Sequence, residues 1–164
     1  MCLILIAYRA HPRYPLVIAA NRDEFYHRPT APASFWDTEP HLLAGRDLDQ
    51  GGTWLGISRT GRVAALVNFR DPRSVKPGAP SRGSLVTDFL LGSTQPARHL
   101  DILRQHARQF NGFSMVFGDL EQLYVYSNKG EMPPLLEPGF HGLSNHLLDT
   151  PWPKVTRGRQ AMEK

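Results

Sequence analysis

Two apolar runs near the start of the chain limit its possible folds more than any other feature. Leu3–Tyr8 and Leu16–Ala20 carry no charged side chain. A strand with one wet face alternates apolar and polar residues, so an unbroken run reads as a strand covered on both faces. His11-Pro12 and Tyr14-Pro15 break the chain between the runs, which suggests a hairpin. The second run stops abruptly at Asn21-Arg22-Asp23-Glu24. In a hairpin that end lies beside the start of the first strand, next to Cys2. Covering such a hairpin on both sides requires a second sheet or helical layers.

The remaining chain supplies those layers. Arg28–Pro40 is Pro-rich and expected to be irregular, and Leu42–Gly45 reads as a short strand. Asp47–Gly52 reads as a turn, and Thr53–Ser58 and Arg62–Phe69 as strands around a Thr60-Gly61 turn, giving a meander. Asp71–Ser81, with three prolines, reads as loop. Leu85, Val86, Phe89 and Leu90 mark a short amphipathic helix closed by Gly92, and Leu100, Leu103, Ala107 and Phe110 mark a second. Phe113–Gly118, Leu123–Ser127 and Phe140–Asn145 read as strands, and Trp152–Met162 as a last helix. Gly and Pro at 14 each of 164 residues exceed the usual ~7 % and ~5 % and agree with many turns. The order favours an α+β fold with antiparallel sheets, as one domain over 1–164.

Composition removes several function classes. Cys2 is the single cysteine, so no internal disulfide and no cysteine-based zinc site forms. The seven histidines show no metal spacing. His99 and His106 fall seven apart on one helix and are expected to be solvated. No metal site is expected, and a cytoplasmic setting with no integral membrane segment is the default reading. The net charge is +4. Arg59, Arg62, Arg70, Arg73, Lys76 and Arg82 face one acid, Asp71, within a single stretch. That stretch reads as a solvated loop, or as a surface for an anionic lipid or an acidic small molecule. No nucleic-acid-binding pattern accompanies it, so no nucleic-acid partner is expected.

The residues able to carry chemistry cluster at strand ends. Removal of Met1 would leave Cys2 with a thiol and a free α-amine on one residue. That amine, with a typical pKa of about 7.7–8.0, can accept the thiol proton. The alternative is a small buried hydrophobe at a strand start. Arg22 beside the thiol would favour thiolate, and Asp23 or Glu24 would hold the amine or the arginine. A polar turn with surface ion pairs is the alternative there. Asn68 and Asn145 each end a strand and can aim an amide at a developing oxyanion, or simply stop the strand. Gly51-Gly52-Thr53-Trp54-Leu55-Gly56 lacks the Gly-Lys-Ser/Thr ending of a phosphate loop. It reads as close backbone packing with Trp54 as a pocket wall.

Several strings together resemble the NRDE family, also called the transport and Golgi organisation protein 2 family. They are Met1-Cys2-Leu3-Ile4, Ala20–Phe25 with Arg28-Pro29, Ala44–Asp47, Gly51–Gly56, Val67–Arg70, Ser81–Gly83, Asn111–Phe113, Gly142–Asn145 and Asp149–Lys154. More distantly, Cys2, Arg22 with Asp23, Asn68 before Phe69, and Asn145 after Ser144 are similar in order to cysteine N-terminal-nucleophile hydrolases. That resemblance implies an αββα four-layer sandwich, left open as incomplete at its C-terminal end because the family is commonly longer. It also implies cleavage of a C–N amide bond, with Cys2, Arg22, Asp23, Asn68 and Asn145 catalytic. Asn21, Glu24, Trp54, Phe69 and Arg70 are the expected substrate contacts. The family equally implies a non-catalytic alternative: haem or lipid and acyl-CoA carriage. In that reading Trp36, Trp54 and Phe69 wall a cleft for a small amphipathic molecule. No cofactor is expected, with haem only as a carried ligand.

Overall fold

The computed structural model describes residues 2–164. The strands are β1 (Leu3–Tyr8), β2 (Leu16–Asn21), β3 (Thr30–Trp36), β4 (Glu39–Asp47), β5 (Leu55–Ser58), β6 (Val63–Asn68), β7 (Phe113–Gly118), β8 (Leu123–Ser127) and β9 (Gly139–Leu143). Helices α1 (Gly83–Leu91) and α2 (Pro96–His106) lie between β6 and β7, and α3 (Pro153–Met162) follows β9. Two antiparallel sheets form, ordered β2-β1-β9 and β3-β4-β5-β6-β7-β8. Helix α3 packs on β1 and β9, α1 on β4–β6 and α2 on β8. The layers therefore run helix, small sheet, large sheet, helix pair.

This layering explains the first apolar run. The second, expected to be covered on both faces, is instead the edge strand β2, half-buried at Leu16–Ile18 and exposed at Ala19 and Ala20, because among the described residues no strand pairs with its outer side. On β1, Ile4, Ile6 and Tyr8 point into the core shared by the sheets, while the Leu5 side chain meets α3 at Gly158. Strand β6 is likewise covered twice. Val63, Ala65 and Val67 face the small sheet, and Ala64 and Leu66 face the helices with Phe89, Phe113 and Phe117. Fully burying such side chains contributes about 1.5–3 kcal/mol each.

Two expectations need correction. Residues 28–40 are not irregular throughout, because Thr30–Trp36 forms β3 and pairs with β4, which is longer than the expected Leu42–Gly45. Register shifts between Ala31 and Ser34 and at Phe35/Trp36 accommodate Pro32 on this edge strand, where a missing N–H costs little. Trp36 is no cleft wall. It is 8 % exposed in the helix-side core, with its indole N–H donating to the Ala44 carbonyl. Its burial follows from its place at the end of β3, the strand's one buried position. Among the described residues no helix is long and apolar enough to cross a membrane.

Candidate functional site

The β1–β2 register pairs Leu3 with Asn21, so the residues just beyond, Cys2 and Arg22, come together at one sheet end. The main-chain N–H of Asp23 lies 3.4 Å from the Cys2 sulfur. The Cys2 carbonyl accepts from Ser144 Oγ at 2.8 Å and from Lys154 Nζ at 2.9 Å. The main chain of Cys2 is thereby held by β9's exit and by α3's first turn. Cys2, Arg22, Glu24, Trp54 and Asn68 all line one cleft of about 250 Å³, together with Arg28, Asp47 and Arg82. The expected removal of Met1 lies outside the described residues.

Arg22 is positioned by Asp47 more than by its sequence neighbours. Its Nη2 reaches Asp47 Oδ2 at 2.8 Å, its Nη1 donates to Thr30 Oγ1 at 3.1 Å, and Glu24 stands at 3.8 Å. Its guanidinium lies 4.4 Å from the Trp54 ring centroid. Asp47 also accepts from Arg28 Nε at 2.8 Å and from the N–H groups of Asp49 and Gln50 at 3.1 Å each. Burial alone would raise the Asp47 carboxyl. The bonds from Arg28 and from the two main-chain N–H groups outweigh it and hold the group below the ordinary carboxylate range. The acidic partner of Arg22 is therefore chiefly Asp47, and Asp23 contributes its main chain to the sulfur.

Trp54 is seated by small neighbours, since a Cβ on Gly45 would come within 2.8 Å of its Cη2. Gly52 makes the second close approach. A Cβ there would lie 2.6 Å from the Gly83 carbonyl carbon, so the turn before β5 and the start of α1 touch backbone to backbone. That contact carries Ser81-Arg82-Gly83 into the same cleft.

Two opposed effects act on the Cys2 thiol. Burial pushes the Cys2 thiol above its ordinary pKa. Arg22 and Lys154 draw it down, but by less. Arg22 thus acts in the expected direction, toward thiolate, without outweighing burial.

The two asparagines divide their work. Asn68 is among the residues lining the cleft. Asn145, 8 % exposed, donates from Nδ2 to the Asn68 carbonyl at 3.0 Å, and its own carbonyl accepts from the Arg70 N–H. Asn145 thus stands behind Asn68 and sets its main chain. Asn21 is exposed at the end of β2, Phe69 packs on His146 with centroids 4.7 Å apart, and Arg70 is exposed. None of these three lines the cleft.

Lys154, Ser144, Arg28 and Asp47 were given no chemical role in the sequence reading, and Arg82 appeared there only as one member of the basic stretch. Each lies inside one of the strings quoted above, which is the signal that could have found them. His99 is not solvated: its ring packs edge-on to Phe89 and Phe117 at 4.9 and 5.4 Å. Burial first, then nearby Arg62, pushes it down to about 4. Among the described residues no group of three or more His, Cys, Asp or Glu could hold a metal ion.

A second, apolar cleft of about 650 Å³ is bounded by Ile18 of β2, the start of β3 at Thr30–Ala33, and Leu43, Leu55, Ile57 and Val63 of β4–β6. Trp54 lines both this cleft and the charged one.

A family profile described as Transport and Golgi organisation 2 matches residues 1–164. The chain is 41 % identical to the Transport and Golgi organization protein 2 homolog of Bos taurus over 173 residues, covering 98 % of this chain and 62 % of that protein. The human homolog of the same name is 40 % identical with the same coverage. Transport and Golgi organization protein 2 of Drosophila melanogaster is 31 % identical over 185 residues, 99 % of this chain and 64 % of its own. The chain spans less than two thirds of the length of these relatives.

Proposed function

The chain belongs to the Transport and Golgi organisation 2 family, and from that premise we propose that its charged cleft cleaves a C–N amide bond of a small acylated molecule. The observation that carries the reading is the setting of Cys2. Cys2 lines the cleft with Arg22 and Asn68, while Ser144 and Lys154 fix its carbonyl. A fixed main chain with a reactive side chain in the cleft is what a nucleophile at a mature amino terminus requires.

The raised thiol pKa fits this chemistry. A neutral thiol needs a base, and a free α-amine on the same residue titrates near neutrality, about 7.7–8.0. In the proposed cycle the α-amine takes the thiol proton as sulfur attacks the amide carbon. The Asn68 amide donates to the oxyanion, and Asn145 holds Asn68 from behind. The C–N bond breaks as the α-amine returns its proton to the leaving nitrogen. Water then adds to the thioester, releasing the acid and restoring the thiol.

The test is an intact mass with a turnover assay on short N-acyl amides. The protein lacking Met1 should turn over, and Cys2→Ala should be inactive while unfolding at an unchanged midpoint. Turnover by protein that retains Met1, or by Cys2→Ala, would refute the mechanism.

The apolar cleft favours a second reading, carriage of an amphipathic ligand without chemistry. Its lining suits an acyl chain. For haem it offers no His, Cys, Met or Tyr as axial ligand. Saturable binding of a fatty acid, equal in wild type and Cys2→Ala and unaccompanied by turnover, is the outcome this reading requires.

A further inference from the structure

We propose that Arg82, backed by Arg28, forms a subsite for an oxyanionic group, a carboxylate or a phosphoryl, on the molecule held beside Cys2. The inference takes the cleft as a ligand site, as the reading above does, but needs no turnover. It starts from the fate of the basic stretch between Arg59 and Arg82, which does not act as one surface. Arg59 bonds the Pro40 carbonyl and lies over Phe35. Arg62 is held by the carbonyls of Phe89 and Thr94, and Lys76 bonds the Arg108 carbonyl. Of that basic set, Arg82 is the member that lines the cleft.

Charge in the cleft does not balance. Arg22, Arg28 and Arg82 face Glu24 and Asp47. Arg22 and Arg28 both bind the same Asp47 oxygen at 2.8 Å, and Arg28 adds Asp49 at 3.4 Å. Arg82 donates through Nη1 to the Gly112 carbonyl at 3.0 Å. Among the described residues no carboxylate lies within ion-pairing distance of it. Burial, then the neighbouring Arg28, pushes its pKa down against a smaller opposing pull from Glu24, a cost that an incoming anion relieves.

The base of Arg82 is rigid. Pro80 precedes it by two residues, and Gly83 follows it in backbone contact with Gly52. A guanidinium anchored at one nitrogen presents the rest of its planar fork, which matches carboxylate and phosphoryl oxygens. A volume of about 250 Å³ lies below the usual ~300–1,000 Å³ of ligand pockets, so the bound head group is small.

Cys2 is the single cysteine, which gives a direct readout: its alkylation by iodoacetamide, followed by intact mass at constant ionic strength. The probes are N-acetylglycine, inorganic phosphate and neutral N-acetylglycinamide. At about nine times its Kd, a probe that fills the cleft slows alkylation about tenfold. The expected result is protection by N-acetylglycine or by phosphate, whichever matches the natural group, and none by the neutral amide. Arg82→Gln keeps a donor for Gly112 without the charge. It should weaken the protecting probe about 10- to 100-fold, the weight of a charge-assisted bond, while the uninhibited alkylation rate stays within about twofold, a factor corresponding to a small change in free energy. Arg82→Lys should recover part of the protection. Equal protection by the neutral amide, full protection in Arg82→Gln, or no protection by either anion overturns the subsite. Protection without turnover leaves the subsite standing and removes only the hydrolytic reading.

Discussion

Replacing Asp47 by Asn tests the framework of the cleft. The change keeps the shape and leaves Oδ1 able to accept from the N–H groups of Asp49 and Gln50, each at 3.1 Å. It removes the charge from Oδ2, where Arg22 and Arg28 both bind at 2.8 Å, and offers them an amide donor instead. Hydrogen bonds to charged groups contribute about 1.5–3 kcal/mol each, and breaking a buried pair costs about 3–5 kcal/mol. The Asp47 side chain is 13 % exposed and that of Arg28 29 %, and one oxygen serves both arginines, so the contributions do not add fully. The expected loss is about 2–4 kcal/mol by urea unfolding at pH 7, or roughly 5–15 °C in Tm. Asp49→Asn is the control, because its 3.4 Å contact with Arg28 is half exposed and worth at most ~1 kcal/mol. The pH dependence has a definite sign. The folded-state pKa of Asp47 is depressed, so its contribution is present above the ordinary carboxylate value of about 3.9 and is lost as pH falls through the lower folded value. A loss under about 1 kcal/mol at pH 7, below what one charged hydrogen bond contributes, or a gap between the two proteins that stays constant into strong acid, refutes the reasoning.

Gly52→Ala forces a Cβ to 2.6 Å from the Gly83 carbonyl carbon and should cost about 1–3 kcal/mol in urea unfolding; a loss below about 0.5 kcal/mol, the usual range for a surface substitution, would show that the turn and the start of α1 part freely. Phe89→Ala removes a fully buried ring packed on Phe117 at 5.1 Å and should cost about 3–5 kcal/mol. In that variant the His99 titration, followed by NMR, should move up from about 4 toward its ordinary value, and an unmoved titration contradicts the burial argument. His141 is bonded at both nitrogens, by Asp149 Oδ2 at 2.8 Å and the Glu137 carbonyl at 2.9 Å. The Asp149 bond, then the Glu137 bond, raises its pKa against burial. Its stabilisation is complete below the ordinary pKa of about 6.5 and is lost as pH rises through the raised folded value. The Tm advantage of wild type over His141→Gln should therefore shrink from pH 6 to pH 9, and an advantage that grows over that range contradicts the assignment.

How much of this was legible in the sequence depends on the range of the forces involved. The hairpin β1–β2 could be read from its two apolar runs, and its register put Cys2 beside Arg22; but only β1 is covered on both faces, since β2 is an edge strand with Ala19 and Ala20 exposed. Helices α1 and α2 could be read because Leu85, Val86, Phe89 and Leu90, and then Leu100 and Leu103, repeat at helical spacing and are buried. Strand β3 could not be read. It lies at a sheet edge, mostly exposed, and so carries neither a run nor an alternation, and its bulges admit a proline. For Asp47 the turn that it opens was visible, since its Oδ1 accepts from residues two and three ahead. Its bond to Arg22 spans 25 residues and leaves no mark in spacing. His99 was assigned to a wet helix face from its distance to His106. It borders Leu100 and Leu103 instead, at the margin of the buried stripe, where α2 meets the ring of Phe117.

The proposed hydrolysis and the alternative of carriage would share a wall, because Trp54 lines both clefts. The Trp54 ring holds the Arg22 guanidinium at 4.4 Å and also borders the apolar cleft of Ile18, Leu55 and Ile57. A molecule with a charged head and an apolar body can therefore lie across one indole, its head among Arg22, Arg28 and Arg82 and its body against the β4–β5 face. The two readings rest on different clefts that share Trp54, and they differ in whether the Cys2 sulfur reacts with what is held. A substitution at Trp54 acts on the contacts and so reduces binding in either case, whereas Cys2→Ala leaves the contacts and removes the chemistry. That asymmetry follows from the cleft's construction: the Cys2 main chain is fixed through its carbonyl by Ser144 and Lys154, whereas the charged walls come from Arg22, Arg28, Asp47 and Arg82 on other elements.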